Sequence, residues 1–264
     1  MNFLIALISF ATFIFILAFA IRLRNWVRSM RRDIYDIRDE VRAIKKSNEN
    51  TGNATFAAIG NMTAESLNAT SLASLGFKFP VFLGGWSIDS FLGRYLIQHL
   101  LEHRPKCIVE LGSGSSTILI ARTLQILDEK GTIHIAVDHE AKYLGLTRDT
   151  AQLNGVAESV EFLHCPLERY ESLDKLWYGG LTERLAGRKI DLLIIDGPPG
   201  PLQPMSRYPA LPVLAAHLAK HCTIILDDAI RQEEQEIAKL WVQEHPEFTL
   251  NFSLEGHGMA VLAR

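Results

Sequence analysis

Five short apolar runs that alternate with helical patterns constrain the fold more than any other feature of the sequence. The runs lie at residues 107–111, 132–137, 160–164, 190–195 and 222–226. Such alternation is typical of a parallel, doubly wound α/β sheet. Near the end, "FTLNFSL" and "GMAVLAR" read as two further strands joined by a short turn. The sequence therefore predicts a mostly parallel seven-stranded sheet with a C-terminal antiparallel hairpin.

The composition limits the classes of function. The formal net charge of -3 over 264 residues provides no basic surface for nucleic acid, so nucleic acid is not expected as a partner. One α/β domain of ordinary size leaves about a hundred residues over. The three cysteines are widely spaced beside predicted strands and are expected to be reduced core residues, namely Cys107, Cys165 and Cys222.

The first residues form an apolar run that is long enough to span a bilayer. Residues 3–21 are apolar except for Ser9 and Thr12, and five arginines follow within eleven residues. Because positive flanks stay cytoplasmic, we expect residues 1–21 to be a single-pass membrane anchor and the rest of the chain to be cytoplasmic. A cleaved signal peptide is the alternative, because Ala18-Phe19-Ala20 resembles a cleavage site.

A heptad pattern follows the apolar run. Its apolar positions alternate in spacings of four and three: Leu23, Val27, Met30, Ile34, Ile37, Val41 and Ile44. This pattern predicts that residues 22–46 form a coiled coil, through which the chain self-associates as a dimer or trimer. An amphipathic helix lying on the membrane surface is the alternative. Residues 47–76 are rich in Asn, Thr, Ser, Ala and Gly and are predicted to be a linker, which leaves 77–264 as the globular domain.

The turn after the first predicted strand carries two glycines in "VELGSGSSTILIARTL". Gly112 and Gly114 permit a tight turn and the close approach of a ligand, although a turn without a ligand needs the same residues. Thr117 stands where a dinucleotide-binding turn would have its third glycine. No lysine follows the turn, which excludes a phosphate-cradling P-loop.

Acidic residues follow three of the other strands. Asp138 is suited to accept hydrogen bonds from both hydroxyls of a ribose, or else it caps the next helix. Asp196 precedes a rigid Gly/Pro loop, a site-like arrangement. Asp227 and Asp228 are adjacent and repel each other unless a cation or a proton relieves them, although Asp228 is also a possible helix cap.

These motifs resemble the class I S-adenosylmethionine-dependent methyltransferases. The resemblance is carried by "VELGSGSSTILIA", Asp138, "DLLIIDGPPG" and "IILDDA" in this order. The segments "FLGGWSIDSFL", "HCPLE", "WYGG" and "RYPALPVL" are similar to those of the catechol O-methyltransferase-like branch, including methyltransferase family 24. The resemblance covers residues 77–264 and implies a Rossmann-like fold, S-adenosylmethionine as cofactor, and methyl transfer.

The resemblance also implies roles for individual residues. The glycine turn would hold the amino-acid part of the cofactor, Asp138 its ribose, and the residues after the third strand its adenine. The implied cofactor residues are Glu110, Gly112, Ser113, Gly114, Ser115, Asp138, His139, His164, Cys165 and Asp196. The implied acceptor contacts are Trp86, Arg207 and Tyr208, with Trp177 and Tyr178 as further candidates unless they are buried scaffold.

Metal-dependent relatives hold a divalent cation with an acid after the fourth strand and an Asp-Asn pair after the fifth. This chain has Asp196, Asp227 and Asp228 at those places, with Asp instead of Asn, and such oxygen ligands suit Mg²⁺, Ca²⁺ or Mn²⁺ better than zinc. The lysine that serves as base in catechol-type enzymes is missing, because residues 197–199 are Gly-Pro-Pro. The candidates for the base are therefore His139, His257 or an aspartate of the site such as Asp196.

The expected function is that of a membrane-anchored O-methyltransferase, acting on a small molecule or a glycan or envelope precursor at the cytoplasmic face. Two alternatives come from other classes. A nucleotide-dependent oxidoreductase would need the third glycine, and its usual Tyr-x-x-x-Lys pair is absent. A membrane scaffold that binds the cofactor without catalysis would need only the cofactor-binding site at the strand ends.

Overall fold

The structure, a computed structural model, describes residues 58–185 and 187–264, together with scattered positions between 22 and 55. It divides into two compact units, Met1–Gly60 and Asn61–Arg264. The scattered positions are all helical. Within the described residues, no helix combines the length and apolarity that a membrane span requires. The predicted anchor at 1–21 lies outside the described residues, as do most positions of the predicted coiled coil, so both remain predictions.

The second unit is built on a seven-stranded sheet. Its strands in chain order are β1 Cys107–Leu111, β2 Ile133–Asp138, β3 Glu161–His164, β6 Ile190–Ile195, β7 Leu218–Asp227, β8 Thr249–Ser253 and β9 Met259–Ala263. The order across the sheet is β3-β2-β1-β6-β7-β9-β8. The first five of these are parallel to one another, whereas β9 runs antiparallel to both β7 and β8. The predicted sheet and its terminal hairpin are thus confirmed.

Helices cover the sheet and connect its parallel strands. They are α1 at residues 61–73, α2 Ser90–His103, α3 Ser115–Ile126, α4 Ala141–Asn154, α5 Leu181–Leu185, α6 Ala210–Leu214 and α7 Gln232–Glu244. A separate antiparallel pair, β4 Leu167–Tyr170 and β5 Lys175–Tyr178, follows β3. The sequence analysis did not predict this pair.

The central strands are buried on both faces, which is why they read as continuous apolar runs. All five residues of β1 are buried. Trp177 and Tyr178 belong to the core on one side of the sheet, at 1% and 3% exposure, so they are scaffold rather than acceptor contacts. The three cysteines are free and buried, as predicted.

The predicted linker at 47–76 differs from the observed structure, because residues 61–73 form α1. Leu72 is buried in the core cluster that also contains Leu92 and Leu96 of α2. The hydroxyls that suggested an irregular segment bond within the helix: Thr70 donates to the Ser66 carbonyl at 2.8 Å. The polar composition of this segment therefore led to the prediction of a linker, although part of it forms a helix with one buried edge.

Candidate functional site

The glycine turn after β1 is in contact with the loop that follows β6. Gly112 has φ +97°, a conformation that L side chains rarely adopt. A Cβ at this position would lie 3.1 Å from the backbone carbon of Asp196 and 3.2 Å from the Gly197 nitrogen. A Cβ on Gly114, in contrast, would meet no described heavy atom within 4 Å. The turn therefore has one crowded side, toward Asp196, and one open side.

Two hydroxyls fix the start of α3. Thr117, in place of a third glycine, accepts a hydrogen bond from the Gly114 N–H at 3.2 Å. Ser115 donates to the Phe82 carbonyl at 2.5 Å and lies 3.3 Å from the Ser87 hydroxyl. The side chain of Ser115, a predicted cofactor residue, thus ties the segment around Trp86 to the glycine turn.

Asp138, at the end of β2, is positioned by donors from two elements. Its Oδ2 accepts hydrogen bonds from the Ser113 N–H at 3.2 Å and the Ser113 hydroxyl at 2.8 Å, and its Oδ1 accepts from the Glu140 N–H at 3.0 Å. Burial by itself would raise the pKa of Asp138, but hydrogen bonds from His139, Glu140 and Ser113 outweigh it and lower that pKa. Asp138 is therefore ionised at neutral pH.

Glu110 lies deeper than the resemblance implied. Its side chain has no exposed surface, and its Oε1 lies 2.5 Å from Nε2 of His134, which is equally buried. The two residues occupy adjacent strands, since Ile108 pairs with His134 and Glu110 with Ala136. Sequence reasoning missed His134, although a single histidine inside the apolar run "IHIAV" was the available signal. The pair is thus a buried contact between β1 and β2.

The predicted adenine border lies next to Asp138. Nε2 of His164 lies 3.2 Å from the His139 carbonyl oxygen, and the Cys165 N–H donates to the Asp138 carbonyl at 2.9 Å. The Cys165 side chain is fully buried, and this burial raises the pKa of its thiol. Nδ1 of His139 is 3.4 Å from Oδ1 of Asp138. The structure thus brings His139 and His164 to the Asp138 side of the site.

The other predicted acids meet around one guanidinium. Arg207 donates from Nη2 to Oδ1 of Asp196 at 3.0 Å and to Oδ2 of Asp228 at 2.9 Å. Its Nη1 donates to the Asp227 carbonyl at 3.0 Å, and its Nε to the Pro198 carbonyl at 3.4 Å. The Arg207 side chain is only 3% exposed. Its donors are thus directed at the protein, although the sequence predicted it as an acceptor contact.

A second arginine closes the cluster from the solvent side. Nη1 of Arg231 lies 2.8 Å from Oδ2 of Asp228 and 3.7 Å from Oε1 of Glu234, and its side chain is half exposed. The backbone of His257 is fixed by a hydrogen bond, because its N–H donates to Asp89, the N-cap of α2, at 2.5 Å. Sequence reasoning missed Arg231, and its position three residues after the acid pair was the only signal.

Burial shifts the pKa values of two of these acids. A largely buried position raises the pKa of Asp196 to about 6, although Arg207 opposes the shift. Burial also raises the pKa of Asp227 well above its usual range, with the charges of Asp196 and Asp228 acting in the same direction. Asp196 is therefore a carboxylate that can gain and lose a proton near neutral pH.

The predicted metal ligands Asp196, Asp227 and Asp228 do not fit a divalent cation as a set. In the described part of the chain, the donors that lie within 4.8 Å of one another are those of Asp227, Asp228 and His257, without Asp196. Arg207 bonds to both Asp196 and Asp228, so a positive charge already occupies the space between them. The three predicted ligands therefore do not converge on one cation position.

A cavity of about 570 Å³ opens beside this cluster, with Trp86, Asp196, Arg207, Arg231 and His257 among its lining residues. Trp86 is 92% exposed at its rim. The other candidates lie elsewhere: His139 does not line this cavity, and neither does Tyr208. The Tyr208 hydroxyl donates to Glu244 at 2.7 Å, and this bond raises its pKa to about 12.

Residues 109–229 match a family described as a methyltransferase domain. This range includes the glycine turn and Asp138, Asp196, Asp227 and Asp228. No match is found among curated proteins. The chain therefore carries a methyltransferase domain.

Solved structures share the fold at low sequence identity. An O-methyltransferase from Bacillus cereus in complex with SAH is 16% identical, with a TM-score of 0.52, covering 76% of this chain and 90% of that one. An SAH-bound methyltransferase from Podospora anserina is 15% identical, with a TM-score of 0.52 and coverages of 67% and 79%. The O-methyltransferase TomG from Streptomyces achromogenes, in complex with SAM, is 14% identical, with a TM-score of 0.51 and coverages of 69% and 82%.

Proposed function

We propose that this chain is an S-adenosylmethionine-dependent O-methyltransferase that uses Asp196 as its base. The observation that carries the proposal is the contact between the two halves of the site. Gly112 abuts the backbone of Asp196, and the Asp196 side chain lines the 570 Å³ cavity. A cofactor on the glycine turn and an acceptor in the cavity would therefore meet at Asp196.

The cofactor side offers complementary groups for each part of S-adenosylmethionine. The open face of Gly114 and the N-terminus of the twelve-residue α3 suit the amino-acid end, since helix N-termini bind carboxylates. The ionised carboxylate of Asp138 suits the ribose hydroxyls. His139 and His164 lie where the adenine would follow. When bound, the cofactor supplies an electrophilic methyl group on a sulfonium.

Asp196 is placed to accept the proton of an acceptor hydroxyl. Arg207 donates to its Oδ1, no hydrogen bond from a described residue reaches its Oδ2, and a quarter of the side chain is exposed. A base with a pKa of about 6 is ionised at neutral pH and still basic enough to assist the transfer. The proton would pass to Asp196 as the acceptor oxygen bonds to the methyl carbon, and the bond between that carbon and the cofactor's sulfur would break, which would leave the cofactor as a neutral thioether. His257, which lines the same cavity, is the second candidate for the base.

We also propose where the domain acts. Residues 1–21 would anchor it to a membrane with the domain on the cytoplasmic side, and residues 22–46 would join chains as a coiled coil. The arginines after the apolar run and the heptad spacing support this arrangement. The acceptor would then be a small molecule or a glycan or envelope precursor that reaches the cytoplasmic face.

The test combines binding with turnover. The full chain should bind S-adenosylmethionine in calorimetry and should transfer a labelled methyl group to a component of a membrane fraction. Asp196→Asn should retain binding and lose transfer, whereas the control Asp174→Asn, at an exposed acid paired with Arg169, should retain both. Absence of cofactor binding would refute the proposal. Binding without transfer into membrane or soluble extracts would favour the non-catalytic scaffold.

A further inference from the structure

The guanidinium of Arg207 is buried at the centre of an acidic cluster that forms part of the cavity wall. It bonds to Asp196 and Asp228 through Nη2, and its other nitrogens bond to backbone carbonyls of residues 198 and 227. Buried arginine is costly unless its donors are satisfied, and here each of its three nitrogens donates to an oxygen. These oxygens therefore stabilise one buried positive charge, that of Arg207.

A divalent cation would have to compete with this charge. Mg²⁺ requires close to six oxygen ligands at about 2.0–2.1 Å. Arg207 already bonds to Asp196 and Asp228, and Arg231 lies 2.8 Å from the same oxygen of Asp228. Among the described residues, two buried carboxylate oxygens of the cluster have no donor, Oδ1 of Asp227 and Oε2 of Glu234. A cation held by Asp196 and Asp228 together would have to displace a guanidinium that is 3% exposed. In the set of Asp227, Asp228 and His257, Asp228 is already paired with both arginines.

We infer that Arg207 takes the place of a divalent cation in this chain: it is a positioning residue that holds Asp196 and Asp228 at the wall of the cavity, and the site works without metal. The inference rests on the proposed function only in taking Asp196 as the catalytic base. Arg207 acts on the acceptor through Asp196, because its described hydrogen bonds all go to protein oxygens. A guanidinium fixed in the chain also has no ligand-exchange step and cannot be removed by a chelator.

The test measures Mn²⁺ binding, which needs neither cofactor nor turnover. By electron paramagnetic resonance, the wild-type chain should bind no Mn²⁺ at the cluster. Arg207→Ala should gain one Mn²⁺ per chain, with a dissociation constant below about 1 mM, because the carboxylates then converge without a counter-charge. Arg231→Ala is the matched control: it removes an exposed arginine from the same Asp228 oxygen, leaves Arg207 in place, and should gain no site.

Stoichiometric Mn²⁺ binding by the wild-type chain that is lost in Asp228→Asn would overturn the inference, and so would an Arg207→Ala variant that folds and gains no site. If Arg207→Ala does not fold, the melting temperature of the wild-type chain tests the inference in its place. It should be the same in chelator and in millimolar Mn²⁺, and a stabilisation by Mn²⁺ that Asp228→Asn abolishes would refute the inference. Failure of cofactor binding in calorimetry would refute the proposed function and leave these metal measurements unaffected.

Discussion

Replacement of Asp138 by asparagine should weaken cofactor binding while the fold is retained. A carboxylate offers about four acceptor positions, and donors from Ser113 and Glu140 use three of them. Nδ1 of His139 lies 3.4 Å from Oδ1, at the fourth position, which becomes free for a ribose hydroxyl if the His139 ring turns away. A second becomes free if the Ser113 hydroxyl turns to Oγ1 of Thr147, which lies 3.2 Å away. Asparagine keeps one acceptor oxygen, puts an NH₂ group in place of the other, and carries no charge.

The magnitude follows from the number of hydrogen bonds lost. A hydrogen bond to a charged group contributes about 1.5–3 kcal/mol. The loss of one such bond raises the dissociation constant about 10- to 150-fold, since 1.4 kcal/mol is a factor of ten. Isothermal titration calorimetry with S-adenosylmethionine and with SAH measures this constant directly, and circular dichroism establishes that the variant is folded.

Ser113→Ala is the matched control for this prediction. It removes one donor to Asp138 and leaves the carboxylate itself intact, so affinity for SAH should stay within about threefold of the wild type if the ribose binds to Asp138. A folded Asp138→Asn protein with the same threefold tolerance would refute the assignment of the ribose to Asp138. The cofactor would then have to lie elsewhere along the sheet edge.

Three further predictions use single substitutions. Gly112→Ala should lower the free energy of unfolding by about 1–3 kcal/mol in urea denaturation, because φ is +97° and the Cβ would press on the Asp196 backbone. Gly114→Ala, where the Cβ meets no described atom, should leave stability unchanged but weaken SAH binding in calorimetry, and equal stability losses would contradict this difference. Wild-type turnover should rise with pH through about 6 as Asp196 ionises, whereas Asp196→Asn should be about 10²–10⁴-fold slower with a flat pH–rate profile. Burial, followed by the charge of His103, lowers the pKa of His99 from 6.5 to about 4, so the unfolded chain binds more protons in this interval and stability should fall as pH drops from 6.5 to 4. His99→Gln should flatten this dependence in pH-resolved thermal melts, and an unchanged slope would exclude His99 as its source.

The sheet and the places of its acids could be predicted because both follow from periodicity. Parallel strands present their carboxyl ends at one edge, so Asp138, Asp196 and Asp227, each at or just after the end of a strand, had to lie along a common edge. The glycine turn could be placed by the same reasoning. Nothing beyond the spacing of apolar runs was needed for these positions.

The surroundings of the acids could not be predicted in the same way. Arg207 follows Asp196 by eleven residues, in a segment without regular periodicity, and only the folded path of that segment brings it back between two strand ends. The sequence therefore predicted a contact with the acceptor and did not reveal the internal counter-charge. The burial of Glu110 against His134 was equally hidden, because it depends on the register of β1 and β2.

The position of Arg207 also links the two halves of the site. Its Nη2 bonds to the backbone carbonyl of Asp196 at 3.1 Å as well as to the side chain, and its Nη1 bonds to the carbonyl of Asp227. The ends of β6 and β7 are thus held by one planar group. Because Gly112 packs against the Asp196 backbone, the geometry of the cofactor turn depends on the same bonds. A mobile ion held only by side chains would not impose this constraint, since it would make no bonds to the backbone carbonyls that set the loop path.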